Sequence, residues 1–180
     1  MSDLANTTGT WVIDPTHTTI GFSARHAMVA KVRGNFAEFA GSFTLDGSNP
    51  AASRAELTVE TASIDTRNAD RDGHLKSADF LDVENFPKLT FTSTSVSGSG
   101  EKFTVTGDLT IHGVTKSVPV QFELLGVSTD PWGGIRIGFE GSTEISRKEF
   151  GLVWNAALET GGVLVGDTVK IELDVEAVKQ

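Results

Sequence analysis

Residues 169–177, VKIELDVEA, alternate an apolar side chain with a charged one at every position. Successive side chains of an extended strand point to opposite faces, so this stretch predicts a strand with one dry and one wet face. Shorter segments with the same alternation recur along most of the chain, around residues 20–24, 39–45, 55–61, 89–91, 105–111, 118–124 and 135–139. The repeated pattern is typical of an antiparallel sheet with one buried side.

These segments predict about eight strands, and several are longer than a usual strand, which favours a closed barrel. Turn-forming residues separate them, for example SGSG at 97–100, HG at 112–113 and PWGG at 131–134. Two stretches break the two-residue period. Residues 25–33 predict an irregular or helical turn, and residues 69–79 predict a short helix.

The composition is that of an ordinary globular domain. The 180 residues are 38% hydrophobic and 22% charged, which predicts one domain over residues 11–180 behind a flexible tail at 1–10. There is no cysteine, so disulfides, thiolate metal sites and a cysteine nucleophile are excluded. The net charge of −9 disfavours nucleic acid and anionic membranes as partners.

The sequence also gives an expectation about location. The opening residues, MSDLANTTGT, lack the basic and apolar stretches of a secretory signal. No apolar run approaches the length that spans a bilayer. Both observations predict a cytoplasmic protein without stable membrane insertion.

The candidate motifs for chemistry are weak. The histidines His17, His26, His74 and His112 lack the spacing of a zinc motif, so we expect no metal site. Residues 68–79 nearly match a calcium loop, but Asn68 and Asp79 are poor end ligands, and a helix start capped by Asn68 or Asp70 is the alternative interpretation. No nucleophile elbow or dinucleotide fingerprint is present, so no catalytic residue is predicted.

Six motifs in order resemble the YceI-like family, from about Trp11 to Val178. They are WVIDPTHTTIGFSARH (11–26), VRGNF (32–36), DTRNADRDGHLKSADFLDVENFPKLTF (65–91), GDLTIHGVTKSV (107–118), RKEFGLVWN (147–155) and GVLVGDTVKIELDVE (162–176). The resemblance implies an all-β fold, an extended antiparallel eight-stranded lipocalin-like β-barrel with a short helix. It also implies an isoprenoid or other long-chain amphiphilic lipid as ligand, no cofactor, and a possible homodimer.

The aromatic residues give the candidate ligand site. The chain has 11 phenylalanines, 3 tryptophans and no tyrosine, so rings without hydroxyls would line the barrel interior. The predicted ligand-binding residues are Ile20, Phe22, His26, Met28, Phe36, Phe39, Phe43, Phe80, Phe86, Phe91, Phe122, Phe139, Phe150 and Trp154. For each ring, plain core packing is the alternative, and Arg25, Lys31 and Arg147 are candidates to meet a ligand headgroup.

The leading functional hypothesis is therefore binding and carriage of a lipid in the barrel, without catalysis. One alternative is an enzyme that acts on a small apolar substrate in the same pocket, with His17, His26 and Asp167 as its candidate titratable groups. The other is a stress-response or interaction scaffold whose barrel is filled by its own side chains.

Overall fold

The computed structural model describes residues 4–180, which form eleven β-strands and one α-helix. The strands are β1 (Gly9–Ile13), β2 (Thr19–His26), β3 (Ala30–Phe36), β4 (Phe39–Leu45), β5 (Arg54–Glu60), β6 (Ile64–Asp65), β7 (Lys88–Ser99), β8 (Lys102–Ile111), β9 (Val114–Thr129), β10 (Ile135–Ser146) and β11 (Val165–Lys179), and the helix is α1 (Ala69–Lys76). Four 3-10 turns cover Leu4–Thr7, Pro50–Ala52, Thr61–Ser63 and Arg147–Phe150. Among these residues, no helix is long and apolar enough to cross a bilayer.

Strand β1 closes the sheet into a barrel, because it pairs with β4 on one side and with β11 on the other. The closed ring has the order β1-β4-β5-β7-β8-β9-β10-β11, and all its pairings are antiparallel. The predicted eight-stranded antiparallel barrel with a short helix is therefore confirmed. Closure leaves no long free edge in the ring.

The three other strands lengthen the barrel at one end. Strand β2 follows β1 along β11, β3 pairs with β2, and β6 pairs with β3. The pairs β1/β2, β3/β4 and β5/β6 therefore behave as three long strands that are each interrupted once. Eleven segments occupy eight strand positions, and α1 follows β6 at the extended end.

The core consists of two apolar clusters. The first lies toward the extended end and includes Leu109, Ile111, Phe150 and Leu152. The second surrounds Trp11, which is fully buried and whose indole Nε1 donates a hydrogen bond to the Thr7 carbonyl at 2.9 Å. This bond attaches the turn Leu4–Thr7 to the barrel.

Three local predictions differ from the structure. Residues 25–33 are not an irregular turn: β2 and β3 run through them, and only residues 27–29 form the turn. The helix ends at Lys76 rather than at residue 79, since Ser77 has extended backbone and caps it. Of the predicted tail, residues 1–3 lie outside the described residues, and the barrel begins at Gly9, two residues before the predicted boundary.

Candidate functional site

A cavity of about 330 Å³ lies inside the barrel between the two core clusters. Its surface is almost entirely carbon, contributed by inward-facing side chains of both clusters. Ligand pockets in proteins typically span about 300–1,000 Å³, so this cavity has the size of a small ligand pocket. The barrel is therefore not filled by its own side chains.

Glycines on neighbouring strands keep the aromatic rings against the wall of this cavity. Gly141 of β10 faces Phe122 of β9, and a Cβ built on Gly141 would meet the Phe122 ring before any other atom. Gly34 and Phe22 form a similar pair across β3 and β2. Because glycine has no side chain, each ring lies over its partner's backbone and leaves the middle of the barrel open.

The cavity brings together many of the predicted ligand-binding residues. Those in its lining are Ile20, Phe22, Phe36, Phe43, Phe80, Phe91, Phe122 and Phe139. Three of the rings contact one another: Phe139 meets Phe43 at 5.8 Å and Phe122 at 6.4 Å between centroids, both nearly perpendicular. This edge-to-face geometry is the favourable one for aromatic pairs.

The other predicted residues lie outside the lining. His26 and Met28 are exposed at the tip of the β2–β3 hairpin, because β2 runs to its end without turning back. Phe39 is half-buried at the start of β4, and Phe86 packs on His112 with 4.7 Å between ring centroids. The remaining two are Phe150, which is buried in the first cluster, and Trp154, which packs on His74 and Phe80.

Much of the cavity lining lies outside the predicted ligand-binding residues. Aliphatic residues of long strands contribute a large part of it, among them Leu57, Val105, Leu109, Ile171 and Leu173. Their alternation with polar residues was the signal that could have identified them. The prediction favoured aromatic residues, and Ile20 and Met28 were its only members without a ring.

Arg147 is a buried cation beside the cavity, with only 3% of its surface exposed. Its guanidinium donates hydrogen bonds to the carbonyls of Gly166 (2.8 Å), Leu152 (2.6 Å), Trp154 (2.9 Å) and Val165 (3.1 Å). Burial lowers the pKa of Arg147, while the charge of Asp167 opposes that shift. The side chain thus fixes the segment after β10 to the start of β11.

A cluster of charged residues lies near the C-terminal end of β11, the end opposite to Arg147. Arg136 Nη1 donates to Asp14 Oδ2 at 2.8 Å and to Glu176 Oε1 at 2.7 Å, and His17 Nδ1 lies 2.9 Å from Asp14 Oδ2. The hydrogen bond to His17, with those to Thr16 and Arg136, lowers the pKa of Asp14. The bond to Asp14, followed by the charge of Glu176, raises the pKa of His17. Sequence spacing gave no signal for this cluster, since Arg136 lies far along the chain from Asp14.

Two groups of residues within 4–180 that resemble metal sites already have protein partners. Asp14, His17 and Glu176 bring three possible ligand atoms within 4.8 Å of one another, but Arg136 already contacts both carboxylates. In the near-match to a calcium loop, Asn68 Oδ1 accepts the backbone N–H of Arg71 at 2.9 Å and caps α1. Asp72 Oδ1 accepts the backbone N–H of Thr66. The alternative interpretation, a capped helix start at Asn68, is confirmed.

Comparison with known proteins agrees with this architecture. The model of the YceI-like domain family matches residues 11–177. The protein YceI of Escherichia coli O157:H7 is 46% identical over 136 residues, which cover 76% of this chain and 71% of the relative.

Two solved structures share the fold. BcnA of Burkholderia cenocepacia superposes with a TM-score of 0.80 at 24% identity, over 91% of this chain and 98% of BcnA. A polyisoprenoid-binding domain of Saccharophagus degradans superposes with a TM-score of 0.71 at 14% identity, over 94% of this chain and 98% of that domain.

Proposed function

The chain belongs to the YceI-like family, and we propose that it binds an isoprenoid-type or other long-chain amphiphilic lipid in the barrel cavity, without catalysis. The observation that carries this proposal is the carbon-lined cavity of about 330 Å³. A protein of the same fold, the Saccharophagus degradans domain, binds polyisoprenoid, so the architecture accommodates a chain of this class.

The chemistry of the cavity favours an apolar chain over a polar metabolite. Each methylene transferred from water into such a cavity contributes about 0.8 kcal/mol, so roughly ten methylenes give about 8 kcal/mol before ordering costs. The costs of association and of ordering the chain reduce this gain, so the binding is weaker than the Kd of about 1 μM that 8 kcal/mol alone would give. A polar ligand would lose its hydration and find few hydrogen-bond partners in the lining.

The positions of the three candidate catalytic groups, His17, His26 and Asp167, support binding rather than catalysis. An enzyme acting in the cavity needs acid or base groups that reach it. His17 and His26 are exposed outside the cavity, and Asp167 Oδ2 accepts a hydrogen bond from Ser146 Oγ at 2.6 Å. None of the three belongs to the lining.

The scaffold alternative is weakened by the open barrel. The absence of a cofactor, the cytoplasmic location and the possible homodimer stay predictions, as does the expectation that nucleic acid is no partner.

The test compares two matched substitutions. Ala24→Phe adds a ring to the cavity wall, while Ala40→Phe adds the same ring to the exposed face of β4. Each protein is purified from cells, and the bound lipid is measured by native mass spectrometry and by mass spectrometry of an organic extract. We expect the parent and Ala40→Phe to carry a long-chain compound and Ala24→Phe to lose it. A parent protein that carries no apolar compound, and takes up none from added polyprenol, overturns the proposal.

A further inference from the structure

The tip of the β2–β3 hairpin is basic on an acidic protein. Residues 18–37 contain no acidic residue, although the chain has 24, and they include Arg25, Lys31 and Arg33. All three side chains are exposed, and within residues 4–180 none of them lies within 4.0 Å of a carboxylate oxygen. The acids of the neighbouring segments are Asp65, Glu159, Asp167 and Glu172. Asp167 accepts hydrogen bonds from the Ser146 hydroxyl and the Lys148 N–H. Glu172 Oε1 contacts Lys170 Nζ at 2.9 Å, and this bond, followed by the charges of Lys170, Arg33 and Lys31, lowers the pKa of Glu172.

The same tip exposes large apolar side chains. Met28 is 59% exposed and Val29 is 84% exposed. The adjoining loop extends this apolar surface through Val163, since the Ala27 N–H donates to the Leu164 carbonyl at 2.7 Å. We call the surface of Arg25, Met28, Val29, Lys31 and Arg33 the hairpin tip.

The turn of this hairpin consists of residues that are unfavourable both for its backbone conformation and for exposure to solvent. The Val29 N–H donates to the His26 carbonyl at 3.2 Å, and the two central residues, Ala27 and Met28, have φ of 51° and 65°. Left-handed backbone at both central positions favours Asn-Gly and is strained for residues with a β-carbon. The β8–β9 turn of this protein has the same φ signs and uses His112-Gly113. Backbone strain of this kind concentrates at functional sites.

The cross-strand pairing of the hairpin tip is also unfavourable in the isolated protein. Lys31 lies directly opposite Arg25 in the β2–β3 register. Like charges in directly opposed positions destabilise a sheet. A surface that supplies negative charge and accepts apolar side chains would relieve both the repulsion and the exposure.

We propose that the hairpin tip is a docking site for an anionic lipid bilayer, with Met28 and Val29 entering the interface and Arg25, Lys31 and Arg33 facing the headgroups. Apolar side chains flanked by cations are the usual composition of such peripheral sites. The net charge of −9 keeps the rest of the surface away from the bilayer, so docking is local and reversible.

The hairpin tip lies at the end of the barrel where Ala24 and Val165 line the cavity, next to the pair His26–Val165. Docking would therefore bring that end of the cavity to the membrane.

The first test uses substitutions that remove the docking chemistry and improve the fold. Ala27→Asn with Met28→Gly installs the preferred turn and removes the apolar side chain of Met28. Lys31→Glu converts a repulsive pair into an attractive one with Arg25. Binding is measured by flotation with phosphatidylcholine vesicles, with and without phosphatidylglycerol.

We expect the parent to bind only the vesicles that contain phosphatidylglycerol. Each basic side chain near such a surface strengthens binding about fivefold, so Lys31→Glu should weaken it roughly 25-fold. The double substitution should weaken binding about tenfold or more, because the Met28 side chain that would be buried in the bilayer interface is lost. Both variants should have a higher urea midpoint of unfolding than the parent. A loss of vesicle binding could then not be attributed to misfolding.

Trp132→Ser is the matched control. Trp132 is 87% exposed in the β9–β10 turn, at the opposite end of β11, and its loss should leave vesicle binding unchanged. Absence of parent binding to anionic vesicles overturns the proposal, and so does a dimer in light scattering that only the double substitution dissociates. Because flotation needs no bound cargo, either failure leaves the lipid-binding proposal standing.

Discussion

Replacing Gly141 by alanine should push an aromatic ring into the cavity. A Cβ on Gly141 falls within 3.0 Å of three atoms of the Phe122 ring, and these are its three nearest heavy atoms. Ordinary carbon contacts lie at about 3.5–4.0 Å, so the ring must move by roughly 1 Å. The strand behind Phe122 blocks one direction, and the open cavity accepts the ring in the other.

The size of the effect follows from two losses and one gain. Overpacking a core position costs about 1–3 kcal/mol. Moving the ring weakens its perpendicular contact with Phe139, which is worth about 0.5–1.5 kcal/mol. Alanine in a strand regains about 0.5–1 kcal/mol relative to glycine. We expect a net loss of about 2 kcal/mol, which lowers the Tm of a chain of this size by about 4–8 °C.

A double-mutant cycle tests whether the ring carries this loss. Gly141→Ala is made in the parent and in a Phe122→Ala background, and the free energy of unfolding is measured in urea. With the ring removed, the added methyl group should cost nothing or stabilise slightly. The amount of co-purifying lipid should fall in the single Gly141→Ala variant. Equal stability losses in both backgrounds, or none in either, would refute the idea that this glycine holds the cavity open.

Three further predictions concern polar residues. Arg147→Met should cost more than about 3 kcal/mol and speed hydrogen exchange across residues 152–165, because it removes the donor of four backbone carbonyls; unchanged exchange there would contradict this. The raised pKa of His17 means that its contribution is complete below pH 6.5 and disappears as the pH rises through the folded-state pKa. The difference in the free energy of unfolding between the parent and His17→Gln, measured in urea, should therefore shrink above pH 6.5. A difference that does not change with pH would contradict this prediction. The lowered pKa of Asp14 acts in the opposite sense: its contribution is present above pH 3.8 and is lost as the pH falls further, so Asp14→Asn should flatten the acid side of the stability profile.

The barrel was predictable because its signal is local. Alternation in residues such as Val169, Ile171 and Leu173 specifies a strand face without knowledge of its partners. The His112-Gly113 turn was predictable for the same reason, since positive φ has a residue preference. A turn was predicted within residues 25–33, but its tight form at Ala27-Met28 was not, because these residues contradict that preference.

The remaining features depend on pairs distant in sequence. Strand β1 ends at Ile13, and Thr18 Oγ1, just beyond it, donates a hydrogen bond to the Glu176 carbonyl. No local sequence pattern predicts this contact. The same holds for Arg136 with Asp14, and for Gly141 with Phe122. Which rings line the cavity depends on the pairing register of neighbouring strands, and the local sequence pattern does not predict that register.

The pairing of β1 with β11 also sets the order of events during synthesis. Val165–Lys179 is the last of the strands to leave the ribosome, yet β1, β2 and β10 all bond to it. A nascent chain that lacks this strand has an open sheet with its apolar face exposed, and such long-range closure is slow. Under the proposed function, lipid uptake therefore has to wait until β11 has been synthesised and paired, and a truncation within β11 should produce an empty, aggregation-prone protein rather than a weaker binder.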